Sequence, residues 1–300
     1  MKGEFELINE FVKSFARPRG PLALGPGDDC ALWRAKPGEE LVMTVDAVVE
    51  DVHFTKQFTP EEIGHKALAV NLSDLAAMGA KPEAFLVAIA MPDRWLAKLP
   101  GIARGMSRLA KRHGCQLAGG NMSRARELSI TVTAIGSVPR GRALLRSGAR
   151  PGDRLLISGS LGGAAAGLRV SKASLRARQR KPEPRIALGL LARSVAHAAI
   201  DISDGLVQDL SHVLDASKVG AALVEAAIPV ARGATLADAL SGGEDYELLL
   251  AVPEQKVAPL VRTSKQRGLA LAEIGRVTRR VGVHGLSGAP PGHDHFRSHN

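Results

Sequence analysis

Three hundred residues, 45% of them hydrophobic and 23% charged, suit two globular domains with sizeable cores, and no apolar run is long enough to span a membrane. Only Cys30 and Cys115 are present, which excludes a disulfide framework or a Cys-rich zinc site and fits a reducing cytoplasm. The formal charge of +10 raises the question of nucleic acid, but there is no zinc-finger or RNP-like motif and 3% aromatics offer few stacking platforms, so neither nucleic acid nor membrane is expected as a partner.

The chain opens with MKGEFELINEFVKSFARPRG, whose acids lie inside an apolar pattern with no small-residue cleavage site. It reads as an amphipathic helix near 4–16, not as a signal peptide. A Gly/Pro/Asp-rich loop follows over 24–33, then a β-branched strand over 40–49. Thr59 with Glu62 three residues on is a capping signal for a helix over 59–80. A strand over 83–92 ends at Pro92, and 95–114 is helical, with Pro100 at a first turn or a break. Segments 115–121 and 127–138 read as two strands around a Gly-rich turn.

Pro151 and Gly152 mark a turn near a domain boundary, placed so that residues 1–143 form one domain and 144–300 the other. RLLISG is a strand, and the Gly-rich SGSLGGAAAG after it opens a helix. Its spacing is not G-x-G-x-x-G, so it is a poor match to a dinucleotide loop. The basic stretch 169–185 reads as a solvated helix and loop. Helices are expected near 185–197, after Gly205 and near 254–267, with strands over 220–230, 246–253 and 271–277. Mixed helices and strands with few hairpin turns define an α/β (α+β) chain.

Acids stand in awkward places along this pattern. Asp201 ends the apolar run VAHAAI, where a carboxylate is costly unless a cation meets it. AIDISDGLVQDL can be a strand, a turn and a helix cap, with Asp209 on the polar side of the helix, or it can present Asp201 and Asp204 to a hard metal at a strand end. Asp28 and Asp29 follow a Gly-Pro-Gly turn. Asp46 interrupts the strand MTVDAVV, Asp74 sits in the apolar helix AVNLSDLAAMGA, and Glu244 and Asp245 follow two glycines. Each alone reads as a turn former or cap. Together they form an oxygen-rich, Cys-free set that suits magnesium, whose usual work is on polyphosphate oxygens. No P-loop sequence G-x-x-x-x-G-K-[ST] occurs, so the reading is a magnesium-nucleotide enzyme of another kind, with Arg146, Lys66 and His53 as candidate phosphate contacts.

GPGDDCALW, VDAVVEDVHF, HKALAVNLSDLAAMGAKP, LLRSGARPGD, AIDISDGLVQDLSH, LSGGEDYELLLAVP and the final GHDHF resemble, in this order, the motifs of the bacterial thiamine-monophosphate kinase family. That family belongs to the ATP-binding superfamily of aminoimidazole ribonucleotide synthetase and selenophosphate synthetase. The resemblance implies an N-terminal α/β domain whose sheet pairs with that of a second subunit into a barrel, making a homodimer, and a C-terminal mixed α/β domain. It implies ATP and several magnesium ions in the cleft between the domains, and in-line transfer of the γ-phosphoryl group to thiamine monophosphate. By motif, Asp29, Thr44, Asp46, Asp74, Asp201 and Asp204 would be metal ligands. Gly120, Asn121, Arg146 and Ser203 would lie at ATP, and His53, Glu244 and His293 at the substrate.

Two positions depart from the family pattern. GGNMSR puts Asn121 where the family has a metal-binding Asp, and Val45 replaces a hydroxyl residue before Asp46. The expectation is one weakened magnesium site that Asn121, Val45 and Asp46 share. Another ATP-using member of the superfamily, or a weakened nucleotide-binding paralogue, are the alternatives.

Overall fold

The computed structural model describes residues 4–26, 30–170 and 172–287. It divides into two compact units, residues 1–75 with 80–141 and residues 76–79 with 142–300.

The first unit runs α1 (Glu4–Val12), β1 (Leu22–Leu24), β2 (Leu32–Trp33), β3 (Glu39–Val49), α2 (Pro60–Ala77), β4 (Lys81–Met91), α3 (Leu99–His113), β5 (Gln116–Arg124) and β6 (Ser129–Pro139). A 3-10 turn, Asp93–Lys98, leads into α3, and Pro100 falls in the first turn of α3, where its missing N–H costs nothing. The capping box at α2 forms as expected: the Thr59 N–H donates to Glu62, and the Glu62 N–H donates to the Thr59 hydroxyl. The main sheet has the order β3-β6-β4-β5, with only β4 and β5 parallel. Helix α2 is buried almost all round, with Ile63, Leu68, Leu72 and Leu75 sealed from water, so its few polar side chains are held by specific partners.

The sheet corrects one expectation. Gly119 and Gly120 lie inside β5 and make no turn, and β5 and β6 are not neighbours. A β-carbon on Gly120 would lie 2.0 Å from the Val87 carbonyl oxygen of β4, so glycine is required there by the approach of the two strands alone.

The second unit runs β7 (Arg154–Ser158), α4 (Gly163–Arg169), α5 (Ala173–Arg180), α6 (Ile186–Ala192), β8 (Ala198–Asp201), α7 (Leu206–Ser217), β9 (Gly220–Leu223), α8 (Leu236–Ser241), β10 (Leu248–Val252), α9 (Glu254–Gln266), β11 (Leu271–Thr278) and β12 (Gly282–His284). Its sheet has the order β12-β9-β11-β7-β10-β8, antiparallel except for β12 with β9. One apolar core joins Leu155 and Ile157 of β7, Ile200 of β8, Leu210 and Val213 of α7, and Leu249 of β10. The strand expected over 220–230 stops at Leu223 and gives way to a 3-10 turn at Glu225–Ala227. Helix α8 and strand β12 were not expected, although Thr235 and Asp238 form a full capping box at α8.

The basic stretch 169–185 is also not merely a solvated face. Arg178 and Arg185 turn inward onto the fully buried Glu247, and Arg169 pairs with Asp238. Among the described residues no helix is long and apolar enough to cross a membrane.

Candidate functional site

In the first unit, β3 and α2 bring candidate ligands together. Thr44 and Asp46 share one face of β3, because alternate strand residues point the same way. Asn71 and Asp74 are one turn apart on α2. The Thr44 hydroxyl donates to the Asp74 carboxylate at 2.5 Å, and the Asp46 N–H donates to Asn71 Oδ1 at 2.9 Å. The buried Asn71 also donates to the Ala67 carbonyl, so its orientation is fixed. Asn71 escaped the sequence reading because its partner lies 25 residues earlier, although a buried Asn inside an apolar helix was a usable signal.

His53 stands on the loop after β3. Its Nδ1 accepts the Val49 N–H at 3.1 Å, which sets the ring as the tautomer with the proton on Nε2. Lys66 was a candidate phosphate contact. It is buried instead, with Nζ donating to the His53 carbonyl at 2.7 Å and lying over the Phe58 ring. Lys66 therefore supports the His53 loop.

The expected sharing of one ion by Asn121, Val45 and Asp46 fails within one chain. Strand pairing puts Asp46, Val132, Val87 and Gly120 in one row, and Ala47, Thr131, Ala88 and Asn121 in the next. Neighbouring rows point to opposite faces, so Val45 and Asn121 lie on the face away from Asp46. Strands β3 and β5 are the two edges of the sheet, three steps or about 14 Å apart at about 4.8 Å per step.

In the second unit, Asp201 ends β8 and is buried, while Ser203 and Asp204 form the turn before α7. Gly205, with φ +118°, begins α7 against Ser241, where a β-carbon would meet backbone at 2.8 Å. Asp209 is not on a polar face: it is buried, and its Oδ2 accepts the N–H groups of Ser203, Asp204 and Gly205 at 3.0–3.1 Å. Burial pushes its carboxyl up to about 7, with Asp204 adding to the rise and the three N–H groups opposing it. Neither Ser203 nor Asp204 supplies a side-chain cap to α7; an acid one turn inside the helix holds the loop from behind. Asp204, Asp209 and His212 each offer a ligand atom within 4.8 Å of the others.

Glu244 lies on the loop before β10, tied to the same turn: its N–H donates to the Ser203 carbonyl and that of Tyr246 to the Ile202 carbonyl, both at 2.8 Å. Between them Asp245 is buried and accepts the Gly162 and Ala164 N–H groups at the start of α4. A carboxylate of the chain itself thus occupies the glycine-rich turn, so this turn is no phosphate cradle. Burial pushes Asp245 up to about 6 against the two backbone hydrogen bonds.

Arg146 is exposed on the segment before β7, and its carbonyl accepts from the Ser217 hydroxyl at 3.1 Å. Asp29 and His293 lie outside the described residues. The donors at Thr44, Asp46, Asp74, Asp201 and Asp204 are hydroxyl or carboxylate oxygens, a set that fits hard divalent cations such as magnesium.

Residues 27–138 match the model of the AIR synthase related protein N-terminal domain and residues 150–285 that of the C-terminal domain. The two units are thus the two domains of an AIR synthase related protein. The thiamine-monophosphate kinase of Escherichia coli strain K12 is 38% identical over 322 residues, covering 98% of each chain. The crystal structure of thiamine-monophosphate kinase from Stenotrophomonas maltophilia K279a is similar with a TM-score of 0.84 and 37% identity, covering 93% of this chain and 94% of that one. AaThiL complexed with AMPPCP and TMP is similar with a TM-score of 0.79 and 31% identity, covering 88% and 89%. Within that class, the chain belongs to the thiamine-monophosphate kinase family.

Proposed function

We propose that this chain transfers the γ-phosphoryl group of ATP directly and in line to thiamine monophosphate, giving thiamine diphosphate. The observation that carries this reading is the similarity of nearly the whole chain to a relative complexed with AMPPCP, an ATP analogue, and TMP, the acceptor. Thr44, Asp46, Asp74, Asp201 and Asp204 would hold magnesium, joined by Asp29 on the resemblance alone. Bound there, magnesium would neutralise charge on the polyphosphate oxygens.

Gly120, Asn121, Arg146 and Ser203 are the proposed contacts to ATP, and His53, Glu244 and His293 those to the acceptor. Val49 holds the His53 ring through Nδ1, and the negative charge of a Glu244 carboxylate complements the cationic part of thiamine. Residues 1–143 would carry metal and dimer contacts and 144–300 the second domain, in a cytoplasmic homodimer. The dimer is supported by the open face of β3, where Leu41, Met43 and Val45 are 45%, 67% and 59% exposed in alternation.

The test is formation of thiamine diphosphate from ATP and thiamine monophosphate with magnesium or manganese. Asp74→Asn and Asp201→Asn are each expected to abolish turnover with the fold intact. Nucleotide binding without turnover of thiamine monophosphate would instead point to another acceptor or a weakened paralogue.

A further inference from the structure

Two residues on either side of Asp245 hold backbone conformations that side chains disfavour. Glu244 has φ +66° and Tyr246 φ +52°. A left-handed non-glycine residue is strained and persists only where its surroundings fix it. Gly243 leaves no room to relax, since a β-carbon there would lie 2.3 Å from the Ser203 carbonyl oxygen. What fixes the loop is a short zipper: Glu244 N–H on Ser203, Tyr246 N–H on Ile202, and the Ile202 N–H back on the Glu247 carbonyl at 2.8 Å. Between Glu244 and Tyr246 the Asp245 side chain is buried and bonds the Gly162 and Ala164 N–H groups.

Behind it, Glu247 seals the same turn. It accepts from the Ser158 hydroxyl, Arg178 and Arg185, and Arg178 also donates to the Ser160 carbonyl at 2.6 Å. Gly159, with φ +58°, leaves space for the Glu247 carboxylate, which a β-carbon would meet at 2.1 Å.

We propose that Asp245 is a positioning residue: its carboxylate fastens the 243–247 loop to the start of α4 and so fixes where Glu244 stands relative to the Ser203–Asp204 turn. The proposal rests on the reading that Glu244 contacts the acceptor. Asp245 itself is buried and turned to the start of α4. It acts by holding a left-handed Glu244, and a loop that relaxes would move the acceptor contact most, because the Ser203–Asp204 turn is held separately by the N–H groups of Ser203, Asp204 and Gly205 on Asp209.

The experiment compares Asp245→Asn with Glu244→Gln. The Asn variant keeps size and one acceptor oxygen, but it sets its own NH2 against the second backbone N–H. Asp245→Asn is expected to raise KM for thiamine monophosphate tenfold or more, on the order of what a small misplacement costs, with KM for ATP changed less than threefold or so. An equal rise for both substrates would make Asp245 a general structural residue and overturn the proposal. If Glu244→Gln raises KM for thiamine monophosphate and Asp245→Asn does not, the positioning role is wrong although the acceptor assignment stands. If Glu244→Gln leaves that KM unchanged, the acceptor assignment fails and takes the proposal with it. Amide hydrogen exchange on the unmodified protein gives a readout independent of any variant's folding. The Gly162, Ala164, Glu244 and Tyr246 amides are expected to open as one unit, and separate opening of the loop and the start of α4 would overturn the fastening.

Discussion

One carboxylate oxygen of Asp209 accepts three consecutive backbone N–H groups. Asp209→Ala would leave those donors without their partner beside Asp201 and Asp204, at a cost of about 3 kcal/mol. Urea unfolding measures this directly, and a loss below about 1 kcal/mol would mean the turn is held by other means. Asp245 allows a prediction in pH. Its carboxyl is pushed from 3.8 up to about 6 by burial, so between these values the native protein keeps a proton that the unfolded chain releases. The unfolded state then binds fewer protons, and stability falls as pH rises through about 6. Relative to Asp245→Asn, which does not titrate, the parent protein is expected to lose on the order of 2–3 kcal/mol of stability between pH 4 and 7 or thereabouts. A difference between the two proteins that stays flat with pH would contradict the raised value. Asp201 and Asp204 were legible as site candidates because a carboxylate ending an apolar strand is locally anomalous. Asp209 and Glu247 were not: one looked like an ordinary helix-surface acid, and the other finds its arginines 62 and 69 residues away.

At the level of elements, α2 and α3 cross at backbone distance. A β-carbon on Gly64 would lie 2.0 Å from the Ile102 carbonyl oxygen, and one on Gly105 the same distance from that of Glu61. Gly64→Ala and Gly105→Ala must therefore push the helices apart, and each is expected to destabilise by about 3 kcal/mol or more in denaturant unfolding, despite alanine's better helix propensity. Stabilisation by either would show that the crossing is looser. Helices were the more legible elements because their signals are local: the Thr59–Glu62 box marked a start, whereas Pro100, left open between a first turn and a break of a helix expected from 95, proves to lie in the first turn of α3. Strand β5 was misread because its glycines resemble a turn, while what they answer to is the Val87 carbonyl on a neighbouring strand. The face of Asn121 was hidden for the same reason, since register belongs to strand pairs. With Val45 and Asn121 on opposite edge strands, Asn121→Asp and Val45→Thr are expected to act additively on magnesium dependence. Strong coupling between them would mean that β5 of a second copy lies beside β3.

For the whole molecule, the decisive feature is a sheet with one face covered by α2 and another left open. On that open face Leu41, Met43 and Val45 of β3 stand 45%, 67% and 59% exposed, and Leu86 of β4 joins them at 38%. Scattered apolar residues on a surface need no partner, but a row at every second position of an edge strand is a surface prepared for burial. A second copy would satisfy it, because a two-fold interface sets the same patch against itself. The net charge of +10 on each chain opposes association at long range and must be outweighed by that contact, so the dimer is expected to tighten with added salt. Sedimentation at micromolar concentration should show a dimer for the parent protein. Met43→Lys places an ammonium on each side of the two-fold, so its desolvation cost counts twice, and dissociation should weaken the dimer by about a hundredfold or more while unfolding of the separated chain changes little. A parent protein that sediments as a monomer, or a Met43→Lys protein that dimerises as tightly as the parent, would show that this face is not where two copies meet.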